Sequence, residues 1–302
     1  MRFQHLGMVG YGEVGRIFSA GLRGHVESVS AWDLQFAQDD LRDACLSHAS
    51  DAGVLACASL PTLCARCDLV ISAVTASNTL AVAEAAAAHI RPGAVFLDLN
   101  SASPATKQAA ARLIEARGAL YVEAGVMTSV PPFGIRVPML LGGPHAAALA
   151  RVLNGWGMEA TAVSDKLGVA SAIKMCRSVM IKGLEALVIE SFSTARAYGV
   201  EDHMIATLQE TFPAIDWQQQ GAYFFSRVVQ HGQRRAEEMR EAANTVREAG
   251  FAPLMTAAIA EKQQWVADQA RAGRFAGIEG KAVWQAYADC LLAARPVNAP
   301  GR

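Results

Sequence analysis

The chain opens with His5-Leu6-Gly7-Met8-Val9-Gly10-Tyr11-Gly12-Glu13-Val14-Gly15, an apolar run that breaks into a glycine-spaced turn before a helical stretch over residues 16–22. Each glycine has a physical task in that setting. Gly10 permits a tight strand-to-helix turn, Gly12 lets the backbone approach a pyrophosphate, and Gly15 lets helix and strand pack closely. A pyrophosphate then rests on the positive helix N-terminus. The next apolar run, residues 29–32, ends at Asp33, 18 residues after Gly15. A carboxylate there can accept hydrogen bonds from an adenosine ribose. The residues Gly10, Tyr11, Gly12, Glu13, Val14, Gly15 and Asp33 are therefore expected to bind a dinucleotide. The same carboxylate repels a 2′-phosphate, and Leu34-Gln35-Phe36 offers no arginine to hold one, which favours NAD over NADP.

Outward from this segment the pattern continues. Short β-like runs at residues 69–74, 95–99, 120–123 and 137–141 alternate with Ala-rich helical segments at 79–89 and 104–117. Such alternation predicts a parallel, doubly wound α/β sheet. After Ser164 the pattern changes to long apolar-periodic stretches, residues 166–198 and 223–249, with nothing that reads as a strand. The expected organisation is a dinucleotide-binding domain over residues 1–164 and an all-α domain over 165–302, with a loose tail at 295–302. The 302 residues are 52% hydrophobic and 18% charged, enough for substantial cores. A formal net charge of −1 argues against a nucleic-acid surface, which needs clustered positive charge. No signal-peptide core or membrane-length apolar run is present, so the expected location is cytoplasmic.

Four stretches in order resemble the β-hydroxyacid dehydrogenase group, which includes the 3-hydroxyisobutyrate and 6-phosphogluconate dehydrogenases. They are residues 10–15, Asp98-Leu99-Asn100-Ser101-Ala102-Ser103-Pro104, the pair Gly142-Gly143, and Gly168-Val169-Ala170-Ser171-Ala172-Ile173-Lys174. Further on, Thr211-Phe212-Pro213, Asp216-Trp217 and His231-Gly232-Gln233-Arg234-Arg235-Ala236-Glu237-Glu238-Met239 resemble a branch whose C-terminal domain has no assigned function. The resemblance implies a Rossmann-like domain, a helical dimerising domain and a homodimer. It also implies oxidation of a small hydroxyacid, a carboxylate, by a nicotinamide cofactor.

The match to the family's catalytic lysine falls on Lys174, set among small and apolar residues. Partial desolvation disfavours a charged amine, and an amine poised near neutrality can take the proton from an alcohol. One turn later the family's asparagine is replaced by Ser178, with Lys182 a further turn along, expected to pair with Glu185 or Glu190 or be solvated rather than to add charge for an anionic substrate. Asn100 and Ser101 match a Ser-Thr pair that reaches the nicotinamide ribose or the substrate, although Ser-Ala-Ser-Pro also reads as a helix start. Val74 and Thr75, at the end of the 69–74 run, join Asn100 in the cofactor set. Where relatives carry Ser-Gly-Gly, this chain has Met127-Thr128-Ser129 and then two prolines. Thr128 or Ser129 can supply a substitute hydroxyl in a stiffer loop, which points to a bulkier or more apolar substrate. His231 shares a helix face with Arg234 and Arg235 and suits an anionic group, while Glu237 and Glu238 offer those arginines ordinary salt bridges.

No metal site is expected. Cys64-Ala65-Arg66-Cys67 has no second pair and precedes a core strand, so its cysteines read as small buried residues. Two other functions stay open at this point: an imine or ketone reductase on the same fold, and a nicotinamide-binding sensor without catalysis.

Overall fold

The computed structural model describes residues 1–278 and 282–293; the expected loose tail at 295–302 lies outside them. The first half runs β1 (His5–Val9), α1 (Glu13–Leu22), β2 (Ser28–Trp32), α2 (Asp39–Asp51), β3 (Leu55–Ala56), α3 (Leu60–Arg66), β4 (Leu69–Ser72) and α4 (Thr79–Ala87). It continues with β5 (Val95–Asp98), α5 (Pro104–Glu115), β6 (Leu120–Val126), β7 (Pro138–Gly142), α6 (Ala146–Gly155) and β8 (Glu159–Ser164). Among the described residues five helices follow: α7 (Val169–Tyr198), α8 (Glu201–Thr211), α9 (Trp217–Glu248), α10 (Leu254–Arg271) and α11 (Trp284–Ala293). The Rossmann-like sheet followed by an all-α region is the architecture expected.

The eight strands form one sheet in the order β3-β2-β1-β4-β5-β6-β7-β8. The order reverses between β1 and β4, and at such a switch point the loops at the carboxyl ends diverge and open a crevice. All neighbouring strands pair parallel except β6 and β7, which are antiparallel. The parallel, doubly wound sheet expected is thus present with one antiparallel pair. The β6–β7 connection holds only a short 3₁₀ turn, Gly134–Arg136, where a parallel crossover needs a helix-sized link. Two strands were absent from the sequence reading. β3 is two residues long, and β8 is an edge strand with mostly uncovered side chains.

The chain packs as two compact units, Met1–Cys176 and Arg177–Arg302. The sequence pattern changes at Ser164, but the division falls inside α7, because its first turns are fastened to β6. In the first unit, alternate residues of each strand feed two cores. Leu6, Met8, Leu69, Ile71, Val95 and Leu97 face one layer of helices, and Val9, Val70 and Phe96 face the other. Burial on both faces explains why these strands are nearly continuous apolar runs. In the second unit, Phe192, Phe225, Trp284 and Tyr287 form an aromatic core, and the indole N–H of Trp284 donates to Gln218 Oε1 at 2.7 Å. Among the described residues, no helix is long and apolar enough to cross a membrane.

One polar group lies at the centre of the sheet unit. Asp98, at the end of β5, is fully buried, and its Oδ1 pairs with Lys107 Nζ at 2.9 Å. That oxygen also accepts from the Asn100 N–H at 2.9 Å, while Oδ2 accepts from the Tyr121 hydroxyl at 2.6 Å. Lys107 Nζ donates again to the Asp98 carbonyl at 2.9 Å. Burial first, and the Asp98 charge second, push the Tyr121 hydroxyl well above its ordinary value, so it stays a donor. Lys107→Met removes the cation and leaves Asp98 buried and unpaired. The expected loss is about 3–5 kcal/mol, read as a lower urea midpoint for the sheet unit. An unchanged midpoint would show that the pair contributes nothing.

Candidate active site

The glycine loop is built as its spacing requires. Gly10 has φ +94°, and a side chain there would strike the Ala73 carbonyl; one at Gly15 would strike the Gly10 carbonyl. At Gly12, by contrast, an added Cβ would meet nothing within 4 Å. Gly12 also begins α1 without any side-chain cap, so the first-turn N–H groups keep their capacity for an outside acceptor. These features fit a dinucleotide pyrophosphate. Glu13 and Val14 form the first turn of the helix.

Two loop residues differ in role from a simple lining. Tyr11 is buried, its hydroxyl 3.2 Å from His48 Nδ1 and its ring packed on Phe36, so only its backbone faces the loop. Asp33 is a clasp: Oδ2 accepts the Tyr11 N–H at 2.6 Å and Oδ1 the Gln35 N–H at 2.8 Å. Each oxygen retains a lone pair for a ribose hydroxyl. Arg42 was missed in the sequence because it lies beyond Leu34-Gln35-Phe36. Its guanidinium donates to the Phe36 carbonyl at 3.2 Å and sits 3.6 Å from Asp39, which brings one cation to the loop after β2.

Beside β1, the ends of β4 and β5 are tied by Asn100. Its Oδ1 accepts the Val74 N–H at 2.7 Å and its Nδ2 donates to Ser72 Oγ at 3.0 Å. Asn100 is thus buried and engaged with its own chain, while Thr75 Oγ1 accepts from Asn78 Nδ2 at 2.9 Å. The next two serines divide the tasks left open by the sequence. Ser103 caps α5, accepting the Thr106 N–H at 3.3 Å, and Ser101 Oγ accepts from Lys174 Nζ at 2.5 Å. Because an amine nitrogen in that contact donates, the Ser101 hydroxyl hydrogen is directed elsewhere.

In the loop after β6, the Met127 N–H is spent on the Pro138 carbonyl at 2.9 Å, and the Phe133 and Gly134 N–H groups close on the Val130 carbonyl at 3.0 and 2.8 Å. Thr128 is exposed and Ser129 half-buried. Lys174, Ser101, Asn100, Val74, Thr75, Thr128, Ser129, Asp33 and the glycine loop all belong to the sheet unit, whereas Ser178 and His231 belong to the helical one. There Ser178 Oγ accepts from Lys182 Nζ at 3.3 Å, and Lys182 pairs with Glu238 at 2.8 Å rather than with Glu185 or Glu190. Glu185 pairs instead with Arg235 at 3.1 Å, and Glu190 with Lys262. Arg234 lies 3.7 Å from Glu238. Burial pushes the Cys64 and Cys67 thiols up to about 12, which leaves them inert near neutrality.

Comparison with known proteins agrees with this division. Residues 5–154 match the NAD-binding domain of 6-phosphogluconate dehydrogenase, and residues 195–266 match a domain of unknown function, DUF1932. A conserved hypothetical protein from Sinorhizobium meliloti 1021 is 37% identical, with 96% of each chain covered and a TM-score of 0.75. The conserved protein MTH1747, of unknown function and described as structurally similar to 3-hydroxyacid dehydrogenases, is 29% identical. It covers 89% of this chain and 98% of its own, with a TM-score of 0.68. The 3-hydroxyisobutyrate dehydrogenase of Mycobacterium tuberculosis shares the fold at 18% identity, covering 96% of this chain and 99% of its own, with a TM-score of 0.64.

The helical unit offers one titration that can be checked directly. Burial, and then the charges of Arg227, Arg234 and Arg235, push the His231 imidazolium down to about 4, against the opposing charge of Glu238. Folded His231 should therefore stay neutral until about pH 4, seen as the midpoint of its imidazole proton resonances. As pH falls from about 6.5, the unfolded chain takes up the proton first, so stability is lost between about 6.5 and 4. His231→Asn should lack that part of the decline. A midpoint near 6.5 in the folded protein would refute it.

Proposed function

Since the chain belongs to the family that joins a 6-phosphogluconate dehydrogenase NAD-binding domain to a DUF1932 domain, we propose that it is a nicotinamide-dependent dehydrogenase of a small hydroxyacid, with Lys174 as general base. The observation that carries this reading is the Lys174 Nζ contact to Ser101 Oγ at the carboxyl end of β5, the edge where open α/β sheets bind ligands. The cofactor is held by the residue 10–15 loop, Asp33, Val74, Thr75 and Asn100, the last by fixing the Val74 backbone. When bound, the nicotinamide supplies the hydride acceptor. Lys174 Nζ receives the substrate hydroxyl proton. Ser101 steadies the amine through its lone pair and directs its own O–H at a substrate oxygen. Thr128 and Ser129 offer hydroxyls to substrate oxygens.

NAD is the proposed cofactor, because the Asp33 charge opposes a 2′-phosphate, while Arg42 is exposed and engaged with the Phe36 carbonyl and Asp39. One observation favours a second reading, reduction of an imine or ketone. The Met127 N–H is committed to the β6–β7 ladder, so a backbone grip on a substrate carboxylate is missing at that position. We also infer a homodimer, because α7 leaves Met180, Leu184 and Leu187 exposed at three- and four-residue spacing on one face. A reducing, cytoplasmic setting fits six free cysteines.

The test is absorbance of reduced nicotinamide with a panel of hydroxyacids, run beside Lys174→Ala. Turnover should fall by roughly 10²–10⁴-fold in the variant, with NADH affinity nearly unchanged. Normal turnover in Lys174→Ala would remove the lysine from the chemistry. Silence across the hydroxyacids, with imines or ketones consuming NADH, would transfer the assignment to the second reading. Separately, NADH should bind roughly tenfold more tightly than NADPH; equal affinities would sink the argument from Asp33.

A further inference from the structure

We propose that Glu123 is a positioning residue for Lys174, an inference that rests on the reading of Lys174 as the base. Glu123 sits on β6 and is fully buried. Its Oε1 accepts the N–H groups of Gly168 and Ala170, at 2.8 and 3.0 Å, and its Oε2 accepts the Ser171 hydroxyl at 2.7 Å. Residue 168 immediately precedes the first residue of α7 and is a glycine, with no side chain to cap the helix. Glu123 therefore performs from the sheet the work that a Ser or Asp side chain usually performs in sequence. A negative group at this end also complements the helix dipole.

The clasp holds the helix at the height where Lys174 reaches Ser101. Two residues along β6, on the same face of the strand, Gly125 lets the helix lie against the sheet. A Cβ at Gly125 would come within 3.2 Å of the Ala170 carbonyl oxygen and 3.3 Å of Lys174 Cβ. At Gly142 an added Cβ would strike the Glu123 carboxylate, so the neighbouring strand leaves room for the same clasp. Height, distance and side-chain end are thus set by Glu123, Gly125 and Ser101 in turn. Nothing in this arrangement requires Glu123 to touch a substrate.

Its chemistry separates geometry from charge. In Glu123→Gln the amide oxygen can keep both N–H bonds. The amide NH₂ then faces Ser171, whose hydroxyl can turn to the Gly168 carbonyl, 3.1 Å away. Glu123→Asp is one methylene too short to hold all three donors, and Glu123→Ala removes the cap. The expected order of function is therefore Gln above Asp and Ala.

The experiment has two arms. In the first, the apo protein is acetylated sparingly, and the Lys174 rate is read by mass spectrometry against exposed Lys166. Glu123→Ala should change that ratio by at least about threefold, and Glu123→Gln should restore it. A ratio unchanged in a folded Glu123→Ala protein overturns the proposal. If that variant does not fold, Gly125→Ala, which crowds the same helix, takes its place under the same criterion. The second arm is a double-mutant cycle on turnover. Glu123→Ala should lower kcat by roughly 10–100-fold in the native background and have no further effect on Lys174→Ala. Equal losses in both backgrounds would make Glu123 merely structural. Acetylation needs no turnover, so failure of the dehydrogenase reading, normal activity in Lys174→Ala, is distinct from failure of this one.

Discussion

The carboxyl edge of the sheet is held by carboxylates that take up the backbone N–H groups of the segments packed beside them. Asp33 at the end of β2 binds the N–H groups of Tyr11 and Gln35, Asp98 at the end of β5 binds that of Asn100, and Glu123 on β6 binds those of Gly168 and Ala170. Asp98 and Glu123 are buried and Asp33 half-buried; a buried carboxylate without such partners would cost several kcal/mol, so these acids favour the loop conformations that satisfy them. Three flexible connections are thereby fixed in place. The glycine loop, the Asn100–Ser101 turn and the start of α7 are the three parts that the proposed chemistry requires to be still.

The same logic governs the helical unit, where the acids are met by side chains instead. Glu185 with Arg235 and Glu238 with Lys182 join α7 to α9, and Gln263 of α10 donates to the Lys182 carbonyl and to Glu185, both at 3.3 Å. Burial pushes Glu185 up, and the charges of Arg235 and Lys182 oppose that shift. Such pairs contribute little net stability compared with apolar packing. Their value lies in register, because a slip of either helix would strand a charge in a site closed to water. Three helices are in this way fixed along their axes by groups that tolerate no sliding.

Much of the fold was legible because it follows from periodicity. β1, β4 and β5 are apolar but for one terminal residue each, His5, Ser72 and Asp98, the mark of strands covered on both faces, and the glycine spacing places the turn after β1. β3 and β8 were not legible: two residues carry no period, and an edge strand with uncovered side chains resembles a loop. The antiparallel turn of β7 depends on the length of a connection, which pattern alone does not weigh. In the site, Lys174 and Ser101 could be named from local context and resemblance, but their contact could not. Lys107 looked like any helix lysine, since nothing in its neighbours reveals that its partner Asp98 lies beneath it. Glu123 gave no signal because a single acid in a strand has no spacing to read. The donors it satisfies lie more than forty residues away.

The reversal of β7 also bears on what the site can recognise. An antiparallel neighbour draws the β6 ladder one residue further, to the Met127 N–H bonded to the Pro138 carbonyl. The Met127 N–H used in the ladder cannot also bind a ligand, so on the proposed reading recognition at this position passes to side chains. Thr128 and Ser129 offer hydroxyls, each able both to donate and to accept. A hydroxyl binds a carboxylate less selectively than a cradle of N–H groups, because it serves a neutral oxygen equally well. On the proposed reading the loop therefore relaxes the demand for a substrate anion at this point, while two backbone hydrogen bonds to the Val130 carbonyl close the turn that follows. On that reading, selectivity comes from the volume and apolar character of what fits beside Met127.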